Sequence, residues 1–167
     1  TRSTTVTGVQ TCALPIFFGL DYVVLRFANV YGERQGDGGE GGVISIFARA
    51  AARGETLTIF GDGTQTRDFV YAGDIAAGIR GALMTPAANA VYNLSTGSQT
   101  NLRTLVELLS EAAGHKIVPQ YGPERPGDIY KSALDNGQAK QHLGWQPEVS
   151  LAEGLRRTYR YFTGQGS

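Results

Sequence analysis

The alternation of strand-like and helix-like segments along the chain predicts an α/β or α+β fold. The clearest strand signal is the β-branched and aromatic run YVVLRF at residues 22–27. The clearest helix signal covers residues 101–113 and is followed by Gly114, a residue typical of helix C-termini. The apolar residues that share one face of this predicted helix are Leu102, Leu105, Val106, Leu109 and Ala113.

Between these two segments, strand and helix signals follow each other in short blocks. Residues 29–42, NVYGERQGDGGEGG, are rich in glycine and predict a long loop. Residues 43–53 suit a helix, with Gly54 as its stop signal. Residues 57–60 suit a short strand that leads into a Gly-Asp-Gly turn, and residues 67–71 predict another extended piece.

The pattern continues with one helix and two strands. Residues 74–84 predict a helix that closes before Pro86, and residues 91–95 predict a strand. Residues 116–121 also predict a strand, but Pro119 interrupts it. Because proline cannot donate a hydrogen bond to a neighbouring strand, an edge position is expected for this segment.

Two helix signals complete the chain. Asp135 is expected to cap a short helix that runs through His142. Ser150 and Glu153 form an S-x-x-E capping box that opens the last helix. The apolar side of that helix carries Leu151, Leu155, Tyr159 and Phe162.

The composition is that of a globular domain without an excess of charge. The 167 residues include 15 Lys and Arg and 15 Asp and Glu, so the formal net charge is zero. Non-specific binding of nucleic acid or of an anionic membrane requires a basic excess, so neither partner is expected. One cysteine cannot form an internal disulfide, which favours a cytoplasmic location.

The stretch VTGVQTCALPI at residues 6–16 does not fit a folded domain. It contains the only cysteine, Cys12, and follows neither the apolar period of a strand nor that of a helix. Residue for residue, it resembles the translation of a common short-read sequencing adapter. We therefore expect residues 1–16 to be a non-native artefact and exclude them from reasoning about the fold.

Five segments then occur in a characteristic order and spacing. They are LRFANVYG at 25–32, LTIFGDGTQTRDFVYAGDIA at 57–76, VYNLSTG at 91–97, RPGDIYKSALD at 125–135 and LGWQPEVSLAEGL at 143–155. Together they resemble the C-terminal half of the NAD-dependent epimerase/dehydratase family, the extended short-chain dehydrogenases that act on nucleotide sugars. The resemblance extends from near Phe17 to Phe162.

This resemblance implies a partial Rossmann-type domain, namely its last parallel strands, joined to the small mixed α/β substrate-binding domain. Residues 17–167 would then be a C-terminal fragment. The family's N-terminal half carries the loop that binds the cofactor NAD, the catalytic Ser/Thr and the Tyr-x-x-x-Lys pair. This chain has no such groups, so we expect no catalytic residue in it and no activity from it alone. The resemblance also implies a homodimeric parent enzyme.

The resemblance assigns four polar residues to the sugar and phosphate side of a nucleotide sugar. Asn29 would hydrogen-bond the substrate near its sugar and phosphate; the alternative is that it braces the loop after the strand. Arg67 and Arg125 match two family arginines that approach the diphosphate, a role that suits guanidinium. Surface ion pairs are the alternative for both. Asp128 would accept a hydrogen bond from a ribose hydroxyl, or else form an Asx turn.

Three further residues match family contacts to the base. Thr58 and Phe60 lie where the family offers backbone groups and an aromatic wall, and Val43 matches an apolar contact. Without the resemblance, Thr58 and Phe60 are ordinary strand residues, and Val43 packs at a helix start. Two isolated histidines without a cysteine partner predict no metal site.

Among the branches of the family, NVYGERQ and IFGDGTQTRDFVYAGDIA are most similar to the UDP-glucose 4-epimerases. The resemblance implies that the intact parent is an NAD-dependent 4-epimerase of the UDP-glucose/UDP-galactose type. This chain would supply the part that binds the nucleotide sugar. A dTDP- or UDP-sugar dehydratase, or a related nucleotide-sugar modifying enzyme, stays open. So does a non-catalytic fragment that at most binds a nucleotide sugar.

Overall fold

Short strands and amphipathic helices alternate along the part of the chain that the computed structural model describes, residues 18–36 and 42–164. The predicted non-native stretch 1–16 lies outside the described residues, as do residues 37–41 of the predicted loop. The strands are β1 (Val23–Phe27), β2 (Asn29–Tyr31), β3 (Thr58–Phe60), β4 (Thr66–Arg67), β5 (Phe69–Tyr71), β6 (Ala90–Leu94), β7 (Thr100–Asn101), β8 (Gln120–Gly122) and β9 (Lys131–Ser132). The helices are α1 (Val43–Ala52), α2 (Ala72–Met84), α3 (Leu102–Ala113), α4 (Gly137–Leu143) and α5 (Leu151–Phe162).

The strands pair mainly in parallel, and mostly two at a time. β1 pairs with β6, β2 with β5, and β3 with β8, all in parallel. β4 lies between β7, to which it is antiparallel, and β9, to which it is parallel. Parallel pairs need crossover connections, and helices supply them here. Of the two fold classes left open above, the structure therefore has the α/β arrangement.

Two apolar cores hold these layers together. The larger one is formed by α1, α3 and α5 with residues of β2, β3 and β5. The smaller one lies between β6, β5, α2 and α4, and Trp145 is buried in it. The Trp145 indole donates a hydrogen bond of 2.8 Å to the Asp74 carbonyl, so this buried N–H has its partner.

The predicted end of α3 at Gly114 and the predicted cap of α5 at Ser150 are confirmed, and Asn101 caps α3 in addition. The Asn101 side chain accepts a hydrogen bond of 2.8 Å from the Thr104 amide, and Gly114 ends α3 in the left-handed region with φ of 72°. Ser150 accepts from the Glu153 amide at 3.3 Å. Each cap satisfies an amide that the helix itself leaves without a partner.

Three other segments differ from the sequence-based expectation. The predicted loop 29–42 begins with strand β2, which pairs with β5. The predicted extended piece 67–71 is two strands, because Asp68 leaves the ladder between β4 and β5. The strand predicted over 116–121 begins only after Pro119, as β8, where the missing amide of proline no longer interferes with pairing.

The start of α4 also differs in detail. Asn136 is the N-cap residue and its side chain caps nothing, whereas the Asp135 carboxylate accepts a hydrogen bond of 2.9 Å from the Gly137 amide. Asp135 therefore stabilises the first turn from one position further back than predicted.

The closest packing in the larger core joins Tyr31 to α5. The Tyr31 ring is buried and lies directly against Gly154: a Cβ at position 154 would be 2.0 Å from the Tyr31 hydroxyl oxygen and 2.7 Å from its ring carbon Cζ. Burial also raises the pKa of the Tyr31 phenol, so its hydroxyl stays protonated over the whole working range of pH. Only glycine lets α5 approach this closely.

We expect Gly154→Ala to lower the free energy of unfolding by about 1–3 kcal/mol, because the added methyl group overlaps the buried Tyr31 ring and forces it or α5 to shift. Gly81→Ala is the matched control. Gly81 is also a helix glycine, but its Cβ would meet nothing closer than 3.7 Å. That variant should gain about 0.5–1 kcal/mol from helix propensity. Urea denaturation of both variants checks this, and equal effects of the two would contradict the close approach.

Candidate functional site

A cavity of about 270 Å³ opens between α1, β3, the start of α3 and the loop after β8. Its floor comes from the larger core: Phe47 is only 4% exposed, and Leu102 is also buried. The residues that line it are Val43, Ile46, Phe47, Thr58, Phe60, Gln65, Arg67, Leu102, Arg125 and Asp128. The cavity is thus lined by apolar and aromatic groups together with two cations and a carboxylate.

Six of the seven predicted site residues meet in this cavity, although they come from four separate parts of the chain. They are Val43, Thr58, Phe60, Arg67, Arg125 and Asp128. The sequence analysis missed Ile46, Phe47, Gln65 and Leu102. A signal for Ile46 was available, because it lies one helical turn after Val43 on the same face of α1, and it is 54% exposed there.

The charged side is built around an ion pair. The Arg67 guanidinium donates to the Asp128 carboxylate at 3.0 Å and to the Thr66 carbonyl at 2.9 Å. Its side chain is 16% exposed, and that of Asp128 is 40% exposed. The sequence left an ion pair open for Arg67, and the structure shows that its partner is Asp128. A largely buried cation thus lines the cavity beside a more exposed carboxylate.

The second cation, Arg125, lies flat on an aromatic ring. Its guanidinium carbon is 3.7 Å from the centre of the Phe60 ring, a cation–π contact. On the neighbouring strand β8, Gly122 pairs with Phe60, and a Cβ there would be 3.2 Å from the ring. Phe60 is therefore held between a cation and a glycine, which orients its ring as a wall of the cavity.

Gln65 supports this wall from behind. It is buried, and its amide nitrogen donates a hydrogen bond of 2.8 Å to the Phe60 carbonyl. The turn between β3 and β4 is closed by Asp62, whose carboxylate accepts from the amide of Thr64 at 2.9 Å and from its hydroxyl at 2.6 Å. These hydrogen bonds, that of the hydroxyl first, lower the pKa of Asp62 below its ordinary 3.8.

A smaller cavity of about 220 Å³ adjoins the first one. The two share Phe60, Gln65 and Asp128, and the smaller one is otherwise lined by Gly61, Asp62, Glu124 and Tyr130. The Tyr130 hydroxyl is hydrogen-bonded to the Thr64 hydroxyl. The aromatic and cationic groups that line this space suit a ligand that carries a flat ring and an anionic group.

Asn29, the seventh predicted residue, does not line this cavity. Its side-chain amide donates a hydrogen bond of 3.1 Å to the Asp68 carbonyl, and its backbone amide donates to the same oxygen at 2.8 Å. The amide oxygen of Asn29 is left for other contacts. The structure thus shows the bracing alternative, and contact of Asn29 with a substrate stays a prediction.

Within residues 18–36 and 42–164, no three His, Cys, Asp or Glu side chains come together in a group that could hold a metal ion. None of the helices described there has both the length and the apolar character needed to cross a membrane.

Comparison with known proteins identifies the relatives of this chain. A profile described as the NAD dependent epimerase/dehydratase family matches residues 16–95. Over 145 residues, 87% of the chain, the sequence is 41% identical to the UDP-glucose 4-epimerase of Mycolicibacterium smegmatis, of which it covers 46%.

Solved structures of family members superpose closely. The UDP-glucose 4-epimerase of Thermotoga maritima with UDP-glucose matches 92% of the chain and 51% of that protein, with a TM-score of 0.85 and 46% identity. The UDP-glucose 4-epimerase of Thermus thermophilus with NAD matches 92% of the chain and 50% of that protein, with a TM-score of 0.81 and 37% identity. These matches confirm the predicted α/β class with its Rossmann-type strands and helices. The chain spans about half the length of these relatives.

At two junctions between a strand and a helix, the chain lacks the glycine-rich turn with which a Rossmann domain holds the NAD pyrophosphate. β5 runs directly into α2, where a Cβ on Gly73 would lie 2.8 Å from the Tyr71 ring, so that ring occupies the space beside the first turn. β7 runs directly into α3, whose Thr104 amide is taken by Asn101. We therefore derive no step through NAD from these residues.

Thr64→Val should raise the pKa of Asp62 toward 3.8, because it removes the hydroxyl that donates to the carboxylate. Thr64→Ser, which keeps the hydroxyl, is the control and should leave that pKa low. A lowered pKa in the folded state means that the contribution of Asp62 to stability is present above its unfolded pKa and is lost as the pH falls through the folded pKa. An NMR titration of the Asp62 carboxyl carbon checks this, and equal pKa values in both variants would contradict the assignment.

Proposed function

We propose that this chain supplies the nucleotide-sugar-binding part of an NAD-dependent 4-epimerase of the UDP-glucose/UDP-galactose type. The observation that carries the proposal is the meeting of six predicted site residues, from distant parts of the chain, in one cavity with two arginines. The 46% identity to an epimerase solved with UDP-glucose supports the choice of substrate. A cytoplasmic location and a homodimeric parent enzyme are part of the same proposal.

Different residues of the site suit different parts of a nucleotide sugar. Arg67 and Arg125 can each present two N–H donors to a diphosphate, whose negative charge complements the positive charge of guanidinium. Thr58, Phe60 and Val43 form the wall against which a flat pyrimidine base packs. Asp128 accepts a hydrogen bond from a ribose hydroxyl. Asn29 contributes the amide oxygen that its bond to Asp68 leaves available.

Binding of the diphosphate requires an exchange of partners at Arg67. In the structure, Asp128 holds the guanidinium at 3.0 Å. A diphosphate oxygen is a stronger acceptor for the same donor edge, and Asp128 is exposed enough to turn toward the ribose instead. The ion pair therefore keeps Arg67 in a binding-competent orientation until the ligand arrives.

The part played by these residues in the reaction is binding and orientation. In the parent enzyme, NAD supplies hydride chemistry at the hexose, and the residues described here anchor the nucleotide half. Firm anchoring at the diphosphate leaves the hexose free to present either face. This division of labour is what a 4-epimerase requires of its nucleotide-binding part.

Arg67→Gln and Arg125→Gln should each weaken binding of UDP by about 10- to 100-fold, since each removes a charge-assisted hydrogen bond worth about 1.5–3 kcal/mol. Arg80→Gln is the matched control, because Arg80 is exposed on α2 and does not line the cavity. Isothermal titration calorimetry with UDP, UDP-glucose and dTDP-glucose provides the affinities. The proposal expects UDP and UDP-glucose to bind more tightly than dTDP-glucose.

Three results would contradict the proposal. The first is no binding of any of these ligands to the unmodified chain. The second is an equal loss of UDP affinity in Arg80→Gln and in the two cavity variants. The third is a preference for dTDP-glucose, which would favour a dTDP-sugar dehydratase as the parent enzyme.

A further inference from the structure

Asp68 is a buried carboxylate that the proposed function does not use directly. It is 0% exposed and lies between β4 and β5, immediately after Arg67. One carboxylate oxygen accepts from the Thr96 amide at 2.9 Å and from the Thr96 hydroxyl at 2.6 Å. The other oxygen accepts from the Gly97 amide at 3.0 Å. Both oxygens are thus satisfied by the loop that follows β6.

The backbone of the same residue makes a second junction. The Asp68 carbonyl accepts both donors of Asn29, from its backbone at 2.8 Å and from its side chain at 3.1 Å. Asp68 therefore ties together the end of β1 and start of β2, the β4–β5 corner and the β6–β7 loop. Asn29 and Arg67 are both assigned to the ligand. Asn29 is a hydrogen-bond partner of Asp68, and Arg67 precedes Asp68 in the chain.

We propose that Asp68 is the positioning residue of the site: its buried carboxylate fixes the β4–β5 corner so that Arg67 and Asn29 face the nucleotide sugar. This inference rests on the function proposed above. Asp68 does not touch the ligand and acts through Arg67. Rotation of the corner by one residue would carry the Arg67 side chain to the opposite face of β4, because successive strand residues point to opposite sides.

The carboxylate is specifically required, and an amide of the same shape cannot replace it. Asp68 receives N–H donors on both of its oxygens. In Asp68→Asn, one of the two oxygens becomes an NH₂ group. Whichever way the side-chain amide is turned, this NH₂ donor points at another donor, the backbone amide of Thr96 or that of Gly97. A buried unsatisfied donor is costly, and the corner is expected to shift.

The test compares Asp68→Asn with Asp74→Asn. Asp74 is also buried, and its carboxylate accepts from the Val149 amide at 3.2 Å, but it does not line the cavity. Both variants should lower the melting temperature. Only Asp68→Asn should weaken UDP binding, by about 10-fold or more. Equal losses of UDP affinity in the two variants would show that Asp68 contributes general stability only and would overturn the inference.

A double-mutant cycle shows whether Asp68 acts through Arg67. The loss of UDP affinity on Asp68→Asn should shrink to less than about threefold when Arg67 is already Gln, because the positioned group is then absent. The same fold-loss in both backgrounds would overturn the inference. If Asp68→Asn does not fold, Thr96→Val takes its place in the cycle, since it removes one of the three donors and keeps both backbone amides.

A ligand-free measurement separates this inference from the proposed function. The NMR signals of the Arg67 guanidinium, which is held by Asp128 and Thr66, should move in Asp68→Asn and stay in place in Asp74→Asn. If the unmodified chain binds no UDP, the proposed function fails. The NMR signals of Arg67 alone then show whether Asp68 positions that side chain. Unmoved Arg67 signals in Asp68→Asn overturn that role, whatever the result with UDP.

Discussion

The packing of α5 against the rest of the larger core depends on the absence of a side chain at position 154. The buried ring of Tyr31 fills the space where a Cβ would be, so the side chain of β2 packs directly on the backbone of α5. α5 in turn packs on α1 and α3, the two helices that provide Phe47 and Leu102 to the floor of the cavity. The shape of the site is therefore set by a contact on the far side of the core. Because protein interiors are close-packed, a shift of α5 would be passed on to that floor.

The two arginines of the cavity are held by different physical interactions, and this difference matters for binding. Arg67 is largely buried and keeps its charge compensated by Asp128. Arg125 is stacked on Phe60, where the ring face attracts the cation without neutralising it. Among the groups named here, the cavity thus contains one cation paired with a carboxylate and one stacked on a ring. The function proposed above would therefore require a diphosphate to compete with Asp128 at Arg67 but with no carboxylate named here at Arg125.

Six of the seven residues predicted from the sequence line one cavity, and they lie in local motifs. The TRDF and RPGD motifs place Arg67, Arg125 and Asp128, and the strand before the Gly-Asp-Gly turn places Thr58 and Phe60. These motifs are short and can be recognised in the sequence without knowledge of the fold. The α/β class was also predictable, since α3 and α5 follow their apolar period and their caps closely.

Features that depend on contacts between distant parts of the chain could not be predicted from the sequence. Gln65 in a polar turn has the composition of an exposed residue, and only the fold buries it beneath the Phe60 carbonyl. Asp68 interrupts an extended segment because its carboxylate binds a loop 28 residues further along the chain. The two-residue strands β7 and β9 exist only because β4 lies between them. No periodicity can be read from two residues, so such strands escape pattern analysis.

Three aspartates of this region show how the surroundings of one chemical group determine its role. Asp62 is exposed and closes a turn with Thr64, and the bonds that it accepts lower its pKa. Asp68 is fully buried, and every bond that it makes joins segments of the fold. Asp128 is 40% exposed, and its partner is a cation that a ligand can take over. A diphosphate can displace a half-exposed carboxylate at the cost of one ion pair that water then partly compensates. Displacement of Asp68 would leave three donors unsatisfied inside the protein. The cavity can therefore exchange partners at Asp128 while the corner that aims Arg67 stays fixed.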